Sequence, residues 1–163
     1  MDHIHKQILP NKICNRTLNI GVVGFSDETK MSDMNEYRRE LSMLLMGMVD
    51  KLESIHGKCG TFAIVSGLTN VGVPKLAYEY CSNKNTKLTF SKSVGIACSK
   101  AIEFDTFPVD EKHIIGNNWG DESEFFINHI DGLIRLGGGK QSHSEVNLFK
   151  SRFPDAPVLE YDI

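Results

Sequence analysis

Hydrophobic positions along this chain follow two patterns. Short apolar runs stop at glycine, and longer stretches repeat apolar residues every three or four positions. Leu18-Asn-Ile-Gly-Val-Val-Gly-Phe25 is the first short run. It is apolar at almost every position, which suits a strand covered on both faces rather than a half-exposed one. Further strands are predicted over 61–66, 93–98, 112–116, 131–136 and 157–161. A helix is predicted over 34–56, capped by Ser32 or Asp33, with a stripe of Tyr37, Leu41, Leu44, Leu45, Met48, Leu52 and Ile55. Gly57 and Gly60 end it, and Met43, Met46 and Met48 read as core filler. A second helix opens near Val73-Pro74, since proline suits a first helical turn where its missing N–H is not needed. The polar stretch from Cys81 to Lys92 reads as loop. Asp121 is expected to cap a helix over 122–129, with Phe125, Phe126 and Ile130 inward. The last helix is expected over 144–152.

The order β-α-β-α-β-β-α-β-α-β predicts an α/β, Rossmann-like, mostly parallel sheet with helices on both faces. One such domain is expected over 18–163, preceded by a polar arm over 1–17 that Pro10 and Asn11 keep irregular. The arm packs on the body or on a second subunit, and His3 and His5 read as part of a solvated tail. In sheets of this kind, ligands bind at the carboxyl edge of the strands. The loops at Gly24, Gly67 and Gly137 all fall on that edge.

The Gly137 loop is the strongest of the three. An apolar strand stops in Gly137, Gly138 and Gly139, and Lys140, Gln141 and Ser142 lead on toward a helix. Such a junction presents free backbone N–H groups and the positive end of a helix dipole, which suit a phosphate or carboxylate. Glycine supplies positive φ and lets a ligand approach the backbone closely. Glu145 is expected in the first helical turn, facing whatever binds. The alternative is a plain strand-to-helix turn in which Glu145 only complements the helix dipole.

The other two loops are weaker. Gly24 and Ser26 end the first strand, but the run from Gly21 lacks glycine at positions 23 and 26, so an ordinary dinucleotide site is disfavoured. Ser66, Gly67, Thr69 and Gly72 follow the second strand. Gly67 and Gly72 have the spacing of a P-loop, yet Val73-Pro74 stand where lysine and a hydroxyl residue are needed, which argues against a Walker NTPase.

Composition narrows the field. With 163 residues and a net charge of −3, the chain has room for a core and no electrostatic reason to bind nucleic acid or an anionic membrane. Four scattered cysteines without a C-x-x-C pair suggest a reducing, cytoplasmic setting. His113, His129 and His143 lie on separate elements, so no metal is expected, nor any cofactor. Trp119, the single tryptophan, fits either a base-stacking role or the core.

Gly138-Gly139-Lys140-Gln141-Ser142-His143-Ser144-Glu145 resembles the G-G-x-G-T-x-x-E signature of the SLOG superfamily of Rossmann-like domains. That group includes the LOG, or lysine decarboxylase-like, phosphoribohydrolases and the molybdenum-cofactor carrier-like proteins. Ser142 stands for the threonine and Gln141 replaces the third glycine, while Gly137 and Ser144 also match the wider carrier-like form. Ile64 to Gly72 is similar to the family's earlier glycine loop. The resemblance implies nucleotide-type ligands, homodimers or higher homo-oligomers, and, in the LOG enzymes, a catalytic pair of an arginine and the motif glutamate. Glu145 keeps the glutamate. The arginine's place, nine residues before Asp131, holds Glu122, and no arginine occurs between Arg39 and Arg135.

The expected function is binding of a nucleotide or nucleotide-derived small molecule at the glycine loops, with hydroxyl contacts from Ser26, Ser66, Thr69 and Ser142. The alternatives are N-glycosidic hydrolysis of a nucleoside monophosphate through Glu145, and an oligomeric scaffold with a vestigial pocket.

Overall fold

The structure is a computed structural model in which residues 13–58, 60–82 and 90–163 are described. Pro10, Asn11, His3 and His5 of the expected arm, and most of the polar stretch after Ser82, lie outside the described residues. Six parallel strands are β1 (Leu18–Gly24), β2 (Phe62–Ser66), β3 (Phe90–Ala97), β4 (Glu111–Ile114), β5 (Gly132–Leu136) and β6 (Val158–Tyr161). They lie in the order β4-β3-β2-β1-β5-β6. The described helices are α1 (Met34–His56), α2 (Gly72–Ser82), α3 (Ser123–Asn128) and α4 (Lys140–Arg152), with short 3-10 turns at Glu28–Lys30 and Ser99–Glu103.

Alternate side chains of the central strands build one core on each face. Leu18, Ile20 and Val22 of β1 and Ile134 of β5 join Tyr37, Leu41, Leu45, Met48 and Leu52 of α1 and Val73, Leu76 and Tyr78 of α2. On the other face Val23, Val65 and Leu133 meet Phe126 and Ile127 of α3 and Val146 and Phe149 of α4. Each fully buried side chain of this size contributes about 1.5–3 kcal/mol. β1, β2 and β5 therefore sit in the middle of the sandwich, as their mostly apolar runs predict.

The ends of α1 follow local chemistry. Asp33 Oδ1 accepts from the Asn35 N–H at 3.0 Å, and Gly57, at φ 95°, turns the chain out after its N–H bonds the Glu53 carbonyl at 2.9 Å. Before β1, the Arg16 guanidinium forks onto Asp131 at 3.0 and 2.7 Å, while Ile13 bridges Lys58. Residues 13–17 are thereby laid along the body of the sheet.

Several expectations need correction. Met43 and Met46 are exposed, as is Ile55, so of the three methionines only Met48 fills the core. The stripe of α1 is narrower than the sequence suggested. Gly60 lies beyond the end of that helix, which Gly57 closes. β3 starts at Phe90, and α2 runs on through Cys81 and Ser82, so both ends of the expected loop are ordered elements. Asp121 does not cap α3, whose N-cap is Glu122. Asp121 instead accepts from the N–H groups of Asn117 and Asn118 and closes the preceding turn. Finally, α4 begins at Lys140 rather than Ser144, which moves Glu145 from the first turn into the second.

Candidate functional site

The strand order places β1 and β5 side by side in the middle of the sheet. The chain leaves β1 toward α1 on one face and leaves β5 toward α4 on the other. Their loops therefore diverge at the carboxyl edge, the topological switch point where open α/β sheets hold ligands. A pocket of about 310 Å³ opens there. Its walls come from five segments: the loop after β1, the loop after β2, the end of β3 with the 3-10 turn that follows it, the start of α4, and the turn that carries Trp119 into α3.

Most residues singled out from the sequence line this pocket, including Gly24, Ser26, Gly67 and the run Gly139–Ser142. Gly72, Gly137 and Gly138 do not. Gly137 donates its N–H to the Tyr161 carbonyl at 2.8 Å, and its own carbonyl accepts from Arg135 Nη1 at 2.8 Å. Arg135 is buried and also holds Glu160 and Asp162 at 2.8 and 2.7 Å, so the glycine turn is clamped to the C-terminal strand. Gly138, at φ 100°, passes close to the Ser142 side chain, where a Cβ would lie 2.7 Å from Oγ.

The open end of the turn is the α4 N-terminus. Gly139 is its N-cap and provides no side-chain cap. The first N–H groups of a helix have no intrahelical partners, so Lys140, Gln141 and Ser142 present them at the pocket wall. Lys140 and Lys30 bring positive side chains to the same lining. Across the pocket, Thr69 Oγ1 is buried without a hydrogen-bond partner, which is uncommon for a buried hydroxyl and suits a contact completed by a ligand. Ser66 is already engaged, donating its hydroxyl to the Val22 carbonyl at 2.6 Å, so its proton is committed within the protein.

Glu145 is buried, and its Oε2 accepts from the Ser123 hydroxyl at 3.0 Å. Burial raises its pKa to about 7, the negative charge of Glu122 adds to the rise, and hydrogen bonds from Ser123 and Gln141 oppose it. Glu122 is likewise buried in the lining and accepts from the Gly120 N–H at 2.8 Å. The lining thus brings the start of α4, Lys30 and Lys140 together with the carboxylates of Asp27, Glu122 and Glu145.

Sequence reasoning missed Lys30, Phe25 and Phe126 as lining residues. Lys30 carries no motif, because only the 3-10 turn at Glu28–Lys30 brings it back to the pocket. Glu122 did have a signal: it stands where the family pattern places its arginine. Among the described residues no group of histidine, cysteine and acidic side chains is arranged to hold a metal, and no helix is long and apolar enough to cross a membrane.

No family model matches the chain, and neither does any curated protein. Solved structures do. The molybdenum cofactor binding protein from the phototrophic bacterium Rippkaea orientalis is similar at a TM-score of 0.63 and 22% identity, over 91% of this chain and 78% of that one. TM1055, a structural genomics target solved by X-ray diffraction, is similar at a TM-score of 0.60 and 18% identity, over 87% of this chain and 72% of that one. At these identities the likeness is one of fold. The chain has a Rossmann-like α/β fold with a parallel sheet, as its alternating strands and helices implied.

Proposed function

We propose that this protein binds a nucleotide or nucleotide-derived small molecule in the pocket between the loops of β1, β2 and β5. One observation carries the reading: the uncapped N-terminus of α4 opens into a pocket at the switch point. A phosphate there receives backbone N–H donors and a favourable helix dipole, with Lys30 and Lys140 adding charge. The unpartnered Thr69 hydroxyl supplies a contact for the sugar or its substituents.

A second reading rests on Glu145. A carboxyl titrating near neutrality suits general acid–base work, such as activating water for cleavage of an N-glycosidic bond. Glu122 in place of a cation weighs toward binding without cleavage, since a carboxylate does not replace an arginine facing phosphate.

The test is a thermal-shift screen against nucleoside monophosphates, ADP-ribose and its cyclic variants, and molybdenum cofactor, which one structural neighbour binds. Each mixture is then analysed by mass spectrometry. A ligand at a hundredfold over its dissociation constant stabilises the fold by about 2.7 kcal/mol. Stabilisation with the compound intact is the expected result. Release of free base would instead establish hydrolysis, and no shift with any compound would sink the binding reading in favour of a scaffold.

A further inference from the structure

Trp119 is the chain's single tryptophan, and it lines the pocket while remaining 49% exposed. Phe104, 58% exposed, stands beside it with ring centroids 6.1 Å apart. Large aromatic side chains are ordinarily drawn into the core, because each buries about 150–250 Å². These two are held outward by loops that are built independently of them. Asp121 Oδ2 accepts from the Asn117 and Asn118 N–H groups at 3.1 and 3.0 Å and so closes the turn around Trp119. The Ser99 N–H donates to the Gly116 carbonyl at 3.0 Å, and its hydroxyl pairs with Asn117 Oδ1 at 3.1 Å. These bonds tie the Trp119 turn to the 3-10 segment Ser99–Glu103, whose C-cap is Phe104. Trp119, of the two, reaches the pocket lining.

The same turn is joined to α4, whose N-terminus lines the pocket. Four residues beyond Trp119, the Ser123 hydroxyl donates to Glu145 of α4. At about 310 Å³ the pocket lies at the low end for a ligand site, and the α4 N-terminus and the indole both line it, within reach of one small molecule.

Building on the nucleotide-binding reading, we propose that Trp119, backed by Phe104, is the platform on which the ligand's flat heteroaromatic ring stacks. The ring then becomes a requirement of the site alongside the phosphate. Every base has a π-face, so such a platform grades ligands by ring size, purine over pyrimidine, without selecting one base absolutely.

The experiment titrates the four common ribonucleoside monophosphates and ribose 5-phosphate, following thermal shift and tryptophan emission together. Nucleoside monophosphates are expected to raise Tm and quench the emission of Trp119. Ribose 5-phosphate, which lacks the ring, is expected to raise Tm less or not at all and to leave emission unchanged. By calorimetry, Trp119→Ala should weaken the best nucleoside monophosphate about tenfold, as loss of one stacked base would, without changing ribose 5-phosphate, and Trp119→Phe should recover most of the loss. Undiminished affinity in Trp119→Ala with no quenching in the parent would overturn the platform and leave the nucleotide reading standing. No shift with any of the compounds would overturn both.

Discussion

Two strand-to-helix junctions carry glycines at the carboxyl edge, and they treat their helix N-termini differently. At the β2 junction, the start of α2 is engaged by the protein itself. The Val73 N–H bonds the Phe25 carbonyl at 2.8 Å, and the Gly72 N–H faces Glu28 Oε1 at 3.4 Å. At the β5 junction, α4 starts at Gly139 with no side-chain cap and lines the pocket. The helices also differ. α2 is packed on apolar Val73, Leu76, Ala77 and Tyr78, while α4 buries polar Ser142 and Glu145 beside apolar Val146 and Phe149. At one junction the helix start is tied to the β1 loop, and at the other it lines the pocket without a side-chain cap. A glycine at a strand end therefore does not by itself leave the following helix N-terminus open; what differs is whether the chain answers its N–H groups.

The comparison breaks first at Gly72. It has φ +69°, and a Cβ there would collide with the Phe25 carbonyl oxygen. Gly72→Ala pairs a backbone conformation unfavourable for alanine with a clash against rigid backbone. An expected loss of about 3 kcal/mol or more, measured by urea denaturation, follows from those two mechanisms together. A loss below about 1 kcal/mol would mean that the α2 junction is adaptable, and the distinction between the two junctions would fail.

How far the sequence reveals this division depends on the signal each residue carries. β1 and β5 are legible because their runs are apolar but for Asn19 and Arg135, and they prove to be central strands buried on both faces. The α4 start is not legible. Lys140, Gln141 and His143 are polar and exposed, so helical periodicity only becomes visible at Val146. Ser91 and Lys92 hide the start of β3 in the same way, since they are exposed and lie at an irregularity in the pairing with β2. Both glycine loops were picked out correctly as candidates for the carboxyl edge. Which of their glycines face the pocket was not readable, because that depends on strand order and on distant partners such as Tyr161 and Phe25. Glu122 entered the reading only as the place of an absent arginine.

The buried charge behind the β5 junction gives a second measurement. Glu145 is raised from 4.5 to about 7, by burial first and then by the nearby charge of Glu122. The folded state holds this proton more tightly than the unfolded chain. Its contribution to stability is therefore fully present below about pH 4.5 and is lost as pH rises to about 7. Glu145→Gln keeps the size, and its amide oxygen accepts from Ser123, with nothing to ionise. At about pH 8 the variant should be more stable than the parent by about 2–3 kcal/mol, narrowing below about 1 kcal/mol near pH 5. Thermal denaturation at both pH values reads the difference. An equal gap at both would mean that Glu145 does not titrate in this range. No corresponding pH dependence is expected from the buried apolar stripe of α2.

The smallest expected effect on stability is the sharpest test of the division. Gly139 and Gly67 line the pocket, and neither needs to be glycine for the fold. A Cβ at Gly139 would meet only Phe25 Cε1, at 3.9 Å, and one at Gly67 only Pro74 Cγ, at 4.0 Å. Neither has a positive φ. Alanine at either position should leave stability within about 0.5 kcal/mol of the parent, or raise it slightly by restricting the unfolded chain. A methyl group at Gly139 stands at the mouth of the α4 N-terminus, where an anion must come close to the backbone N–H groups. Gly139→Ala should therefore abolish or sharply reduce the thermal shift given by a nucleoside monophosphate while the unliganded Tm stays fixed. Gly67→Ala, on the β2 side, should reduce it less. If both variants keep the full ligand shift, the ligand does not approach the α4 backbone, and the open N-terminus loses its assigned role. If instead Gly139→Ala lowers the unliganded Tm as Gly72→Ala does, the β5 junction is scaffold as well, and the contrast between the two junctions disappears.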